Sequence, residues 1–513
     1  MGDLPSLPDD PALLKEVIIQ LREELQSSYR RQEQLQHQID QLARRLFGPR
    51  AERIDPNQLV LGLGEVERFV PAVAEDEEEP EDEPPPPRRR RGHGRKRLPE
   101  DLPRKVVTIE PPEEERQCRG CGGALSRIGE ETKEQLEYVP ASFFVLETVR
   151  GNWACRHCEE GVVTAPPPPQ PIEKGLPGPG LLAHVVVSKY ADHLPLARQT
   201  GIFARHGVEL SRSTLCDWVA AAAELGAPVV AEMKRDLIAS KVIHTDDTPV
   251  AVLDRSREST RTARLWVYLG DEGHPHTVFD FTPDRSRDGP ATFLEGYEGY
   301  LQADAYSAYD GIYAGGLVKE VACMAHARRK FYDARATDPA RAFTALAFVR
   351  QLYQIEAKAR ELELPAEKRR SLRQEHAVPV LDGFALWMHE ESPQVLPKSP
   401  LGEAFTYARL QWQALRRYTE DGDLAIDNNR AERALRTVAV GRKNWLFAGS
   451  DEGGRRAAIL YSLISSARRH GLDPFAYLRD LFDRLPTHPQ TRLAELTPVA
   501  WAQALREPAE AAA

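Results

Sequence analysis

Three acidic residues of this 513-residue chain stand where a carboxylate is costly unless it is paired or binds a cation. Asp246 ends the apolar stretch that begins at Val242-Ile243 and is followed by Asp247-Thr248-Pro249. Asp304 ends Tyr300-Leu301-Gln302-Ala303 and is followed by an aromatic pair, Tyr306 and Tyr309. Glu432 sits on an amphipathic helix beside Asn428, Asn429, Arg430, Arg433 and Arg436. Two strand-end carboxylates and one helical glutamate can hold two Mg²⁺ (or Mn²⁺) ions about 4 Å apart, which activate an attacking hydroxyl and stabilise a leaving oxygen in phosphoryl transfer. By residue type alone the bland reading stands beside it: Asp is common after strands, and a helix-borne Glu is usually solvated.

The cysteines carry a second kind of chemistry. Cys118/Cys121 and Cys155/Cys158 are two C-x-x-C pairs, separated by 33 residues. Gly120, Gly122 and Gly123 give the first pair its tight turn. Four thiolates make a closed tetrahedral Zn²⁺ site, which holds a fold and leaves no position for catalysis. His157 is a weaker ligand candidate, and Cys216 and Cys323 are isolated. Basic residues cluster near the carboxylates. His326, Arg328, Arg329 and Lys330 follow the strands, and Arg430, Arg433 and Arg436 recur at i, i+3 and i+6. They can hold phosphates or make surface salt bridges. Arg442, Lys443 and Trp445 can contact a DNA end, Trp445 by stacking on a base or, alternatively, as a core residue.

The elements that must position these groups can be read in chain order. Residues 11–47 form a heptad stripe, Leu14, Ile18, Leu21, Leu25, Leu35, Ile39, Leu42 and Leu46, interrupted only by Ser28 and Gln32. That pattern favours a self-associating coiled coil over a helix packed on its own protein. Residues 48–70 form a short helical unit, and 71–99 an acidic/basic linker disordered by composition. A zinc-binding domain spans 100–165, with strands at Val106-Val107-Thr108-Ile109 and Phe143-Phe144-Val145-Leu146, and a Pro-rich linker spans 166–180. Three helices follow within 181–235, either a helix-turn-helix or a structural lead-in to the next domain. Strand patterns occupy 240–310, and 338–420 is helical. The expected core is therefore 236–337 with 421–460, split by a helical insertion, and 461–505 closes the chain as helices.

Composition narrows the class. Apolar residues make up 41% of the chain and charged residues 28%, which suits well-formed cores over three to four domains. No uninterrupted apolar run approaches the roughly 18 residues of a spanning helix, and the N-terminus lacks a signal pattern. Its match to M-G-x-x-x-S is treated as chance. The expected setting is a reducing cytoplasm, without a membrane partner. Net charge is −10, but EDEEEPEDE at 75–83 carries eight negative charges, and RRRRGHGRKR follows four prolines later. The average therefore hides a basic stretch that can contact phosphates or pair with its acidic neighbour.

Several ordered blocks then fit one family. They are LFGPRAER, RKRLPEDLPRK, the two cysteine pairs, LLAHVVVSKYADHLPLARQ, GVELSRSTLCDW, HTDDTPV, LQADAYSAYD, CMAHARRKF, DNNRAERALR and GRKNWLFAGS. In these the chain resembles the transposases of the IS 66 insertion-sequence family, over roughly residues 12 to 500. The resemblance implies a DDE transposase with an RNase H-like α/β catalytic core in a multidomain α+β chain. It places the family's carboxylates on Asp246, Asp304 and Glu432. The family's D-E-T reads Asp246-Asp247-Thr248 here, which leaves Asp247 as an alternative, and its W-A-H reads Met324-Ala325-His326. The implied reaction is metal-dependent cleavage of element ends, by water and then by the freed 3′-hydroxyl on target DNA. Small accessory proteins of the same element are implied partners. A metal-dependent nuclease of the same core, or a catalytically silent DNA-binding regulator derived from a transposase, is the competing reading.

Overall fold

The computed structural model describes residues 142–154, 162–254 and 256–510, which fall in one compact unit, Val139–Ala513. The heptad helix, the 48–70 unit, the charged linker, the strand at 106–109 and the ligands Cys118, Cys121, Cys155 and Cys158 lie outside the described residues. Strands β1 (Asn152–Ala154) and β2 (Val162–Thr164) pair antiparallel and flank the second cysteine pair in sequence. The strand expected at Phe143–Leu146 is not formed. Phe144, Val145 and Leu146 are exposed, so neither a ladder nor a core rewards extension there.

Three helices lead into the sheet: α1 (Pro179–Tyr190), α2 (Leu196–Arg205) and α3 (Arg212–Ile238). Ser211 Oγ accepts the Thr214 N–H at 3.0 Å and starts α3. This helix runs well past its expected end near Gly226, with Pro228 inside it. Its apolar face continues through Val229, Val230, Met233 and Leu237, all buried, and that burial overrides both breakers. By length and composition alone α3 could cross a membrane, an exception to the apolar-run argument; here that face lies in the protein core.

The sheet contains β3 (Val242–Val252), β4 (Arg261–Leu269), β5 (Thr277–Thr282), β6 (Gly299–Gln302) and β7 (Val318–Val321). Strand order is β5-β4-β3-β6-β7, with β3–β4 and β4–β5 antiparallel and β3–β6 and β6–β7 parallel. Strand β7, only four residues with Lys319 and Glu320 at its centre, carries too little pattern to be read from sequence. The short helix α4 (Asp288–Phe293) joins β5 to β6.

After β7 the chain forms α5 (Met324–Asp333), α6 (Pro339–Glu361), α7 (Val378–Glu391) and α8 (Pro400–Leu410). It returns as α9 (Asn429–Trp445), α10 (Asp451–Arg469), α11 (Pro474–Arg484) and α12 (Pro498–Glu510). Helix α10 packs beside edge strand β5. Ser462 Oγ and Ser466 Oγ accept the backbone N–H groups of Phe279 and Thr277, each at 2.8 Å, so the edge is closed to further pairing. Gly454 makes this approach possible, since a Cβ there would lie 2.3 Å from the Phe281 ring.

The helices between α5 and α9 bury a core of their own, centred on Phe331, Leu352, Phe384, Phe405 and Tyr418. Within it Arg373 is almost fully buried and bidentate to Glu356 at 2.8 and 2.7 Å, and its Nη1 also donates to the carbonyls of Tyr418 and Asp421. Replacing one member of such a pair leaves the other charge buried and unmatched. Arg373→Ala is therefore expected to cost about 3–5 kcal/mol of stability. Chemical denaturation followed by tryptophan fluorescence checks it, and a loss under about 1 kcal/mol would contradict the role given to the pair.

Candidate active site

Asp246 lies in the middle of β3 rather than at its end, paired across the ladder with Val267. The strand continues to Val252 because its remaining residues pair fully with β4. Asp304 stands two residues beyond the end of the adjacent parallel strand β6. Glu432 occupies the first turn of α9, where the helix dipole favours a negative charge.

Asn428 fixes the start of α9. Fully buried, it donates from Nδ2 to the Thr245 carbonyl at 2.8 Å, and its Oδ1 lies 3.2 Å from His244 Nδ1. Burial pushes the His244 imidazole down to about 3, so the ring is neutral and its Nδ1–H donates to Asn428. Gln302, at the end of β6, reaches the same segment. Its Nε2 donates to the carbonyls of Ala425 and Asp427 at 2.7 and 3.0 Å, and its Oε1 accepts the Ala425 N–H. Gln302, the last residue of β6 and two before Asp304, and Thr245, just before Asp246, are thus tied to the segment that opens α9.

Asp304 and Glu432 lie near enough to Asp246 for their charges to act on it. Burial, then the negative charges of Asp304 and Glu432, push Asp246 well above the usual carboxylate range. Asp304 is also raised by burial, against the opposing charges of His326 and Arg285. His326 Nδ1 lies 3.8 Å from Glu432 Oε1. Such a set, all oxygen donors and with two of them opposing ionisation of the third, suits a hard divalent cation. Asp247 points elsewhere. Its side chain is 1% exposed, and its oxygens take Arg264 Nη1 at 3.0 Å and Arg285 Nη2 at 2.8 Å. Arg285 is stacked 3.7 Å over the Tyr306 ring, with Asp304 Oδ2 at 3.9 Å from its Nη2.

The basic residues expected at the site divide. His326 joins the carboxylates, whereas Arg328 lies beside the Tyr332 ring and Lys330 beside that of Tyr407. Arg329, Arg433, Arg436 and Lys443 are exposed. Arg430 faces Glu272 at 3.4 Å. Arg442 donates to Thr248 Oγ1 and the Pro249 carbonyl, which pins α9 to β3. Trp445 packs half-buried against the core, the alternative left open for it in the sequence. Sequence reasoning missed Arg285 and Gln302, gave Asn428 no role, and left Cys323 isolated. Of these only Asn428 carried a signal, as one of two adjacent asparagines before a charged helix.

Residues 174–456 match the model of the Transposase IS66 family, a span that holds all three carboxylates. Residues 115–159 match the zinc-finger binding domain of transposase IS66, and 462–499 the IS66 C-terminal element. Residues 34–107 match the family's leucine-zipper model, described as transposase C of IS166 homeodomain. Two uncharacterized proteins of Sinorhizobium fredii (strain NBRC 101917 / NGR234) are similar over nearly the whole chain. Protein y4hP is 36% identical over 502 residues, 92% of this chain and 89% of that protein. Protein y4jD is 35% identical over 513 residues, 96% and 97% of the two chains.

The raised carboxyl of Asp246 has a sign that can be checked. A carboxyl group held above its unfolded value binds its proton more tightly in the folded state, so stability is lost as pH rises from about 4 through the folded value. Without added cation, Asp246→Asn is expected to melt above the wild type at pH 8, the gap closing toward pH 4. Thermal unfolding across that range measures it, and an Asn variant that melts lower at pH 8 would refute the mutual repulsion.

Proposed function

The chain belongs to the IS66 family of transposases, and on that premise we propose that Asp246, Asp304 and Glu432 are the catalytic carboxylates of a DNA transposase that cleaves element ends and joins them to target DNA. The observation that carries this reading is the approach of the three carboxylates, from two adjacent parallel strands and one helix, with Asp246 raised by burial and then by the charges of Asp304 and Glu432. The sheet order, three antiparallel strands continued by two parallel ones, supports an RNase H-like core. Asp247 is left out because its oxygens are held by Arg264 and Arg285.

Asp246, Asp304 and Glu432 would hold Mg²⁺ or Mn²⁺, which when bound supplies activation of the attacking hydroxyl and charge neutralisation at the leaving oxygen. The chain's own residues supply position. Asn428 and Gln302 keep the carboxylates in register with neutral hydrogen bonds that do not compete for cations. Arg285 neutralises Asp247 beside the trio, and His326 places a ring nitrogen next to Glu432. The exposed Arg433 and Arg436 on the helix of Glu432, together with Arg328, Arg329 and Lys330, are suited to hold DNA phosphates by counterion release. The heptad stripe at 11–47 is assigned to self-association, and the four paired cysteines to a structural Zn²⁺. The setting is the cytoplasm, with small accessory proteins of the element as further partners.

The test is cleavage and joining on DNA carrying the element's ends, with Mg²⁺ or Mn²⁺ and with EDTA. Asp246→Asn, Asp304→Asn and Glu432→Gln are each expected to lower nicking at least about a hundredfold, since each removes charge stabilisation at the reacting phosphate. Asp247→Asn is expected to keep metal-dependent nicking. Undiminished nicking by Glu432→Gln would remove α9 from the site. End binding without nicking by the wild type would favour a silent regulator.

A further inference from the structure

Cys323 lies outside the carboxylate trio yet adjoins it. It stands at the N-cap of α5, and His326 follows one turn on, a C-x-x-H step at a helix start. Cys323 Sγ, a His326 ring nitrogen and a Glu432 carboxylate oxygen all lie within 4.8 Å of one another. The sulfur accepts the Asn428 backbone N–H at 3.2 Å, and the His326 backbone N–H is a second donor to it. Burial pushes the Cys323 thiol up to about 12, so it is protonated without a metal, and the two N–H groups oppose burial only in part; they orient the sulfur toward His326 and Glu432. His326 Nδ1 is buried and has no hydrogen-bond partner, and at 3.8 Å from Glu432 Oε1 it is beyond hydrogen-bonding reach.

From this geometry we propose that Cys323, His326 and Glu432 form a binding site for a borderline-soft divalent cation of the Zn²⁺ type, sharing Glu432 with the carboxylate trio. The donor set is one sulfur, one imidazole nitrogen and one carboxylate oxygen, which selects Zn²⁺ or Co²⁺ over Mg²⁺. Metal–ligand bonds of about 2.0–2.3 Å require small side-chain rotations from the present positions and leave a fourth, open place. As the metal–sulfur bond forms, the thiol proton leaves to solvent. Glu432 is then drawn toward sulfur and imidazole, so occupancy of this site opposes occupancy of the neighbouring hard-ion site. The inference rests on α5 and the start of α9 and holds whether or not DNA is the substrate.

The test is a Co²⁺ titration of the full chain, first saturated with Zn²⁺ so that the four paired cysteines are filled, without DNA. Zn²⁺ binds such donors more tightly than Co²⁺, so a mild chelator first strips Zn²⁺ from the three-ligand site while the four-sulfur site retains its ion, and after gel filtration the added Co²⁺ reports the three-ligand site. The wild type is expected to develop a near-ultraviolet thiolate-to-cobalt band that saturates at one Co²⁺ per chain. Cys323→Ser is expected to abolish the band. His326→Ala and Glu432→Gln, at partly exposed positions, are expected to weaken Co²⁺ at least about tenfold. Circular dichroism confirms that each variant is folded. Absence of the band in the wild type, or an equal band in folded Cys323→Ser, overturns the proposal. A wild type that shows the Co²⁺ band but does not nick DNA would instead count against the catalytic reading alone.

Discussion

Like-charge repulsion governs the centre of this molecule. Asp246 is buried, and the charges of Asp304 and Glu432 make it harder still to ionise. Groups that repel cannot hold one another in place, so the backbone that carries them must be fixed by other means. Asn428 does this between α9 and β3, and Gln302 does it between β6 and the segment at 425–427. Both are neutral amides, fully buried and bonded to main-chain carbonyls. A charged residue in either place would add its own field to a site whose chemistry depends on a balance of charge.

The cations divide accordingly. Arg264 and Arg285 neutralise Asp247, Arg285 with its Nη2 also 3.9 Å from Asp304, and Arg442 bonds to β3 through neutral oxygens. These arginines are structural, and their removal would act through the strand that carries Asp246. Arg433 and Arg436 lie on the exposed side of α9 and leave their charge to solvent. The same helix thus pins itself to the sheet with its last turn, presents Glu432 in its first, and offers positive charge to an anionic ligand between.

Residue types alone offered the carboxylates only as candidates, since Asp is common after strands; the ordered family blocks singled out Asp246, Asp304 and Glu432. The choice between Asp246 and Asp247 was not legible: strand alternation sends them to opposite faces, but which face holds the site depends on Arg264 from β4 and Arg285 beyond β5. Strand β7 escaped because four residues with two charges carry no periodic signal. Helix α3 was cut short because Gly226 and Pro228 look like breakers locally. In three dimensions Gly226 makes room for Leu463 of α10, where a Cβ would meet its methyl at 2.8 Å. For Arg442 and Trp445 the sequence left DNA contact and structural roles open, because charge and aromaticity do not say which way a side chain turns; in the fold Arg442 bonds to β3 and Trp445 packs against the core.

The helical stretch between α5 and α9 raises a separate question of how a segment so long can interrupt a site without loosening it. Loop closure becomes only slowly more costly with length, so the entropy of the interruption is modest if the inserted part folds on its own core. It does so around Phe331, Phe384 and Tyr418, with Arg373 tied to Glu356. It is also joined to the site at its return. Tyr353 donates its hydroxyl to Asp427 Oδ2 at 2.9 Å, and the Met324 N–H donates to the Ile426 carbonyl at 3.0 Å. The segment 425–428 is therefore held from the sheet by Gln302 and from the insertion by Tyr353 and α5. Glu432 inherits its position from both, which makes the insertion part of the framework of the site rather than an appendage to it.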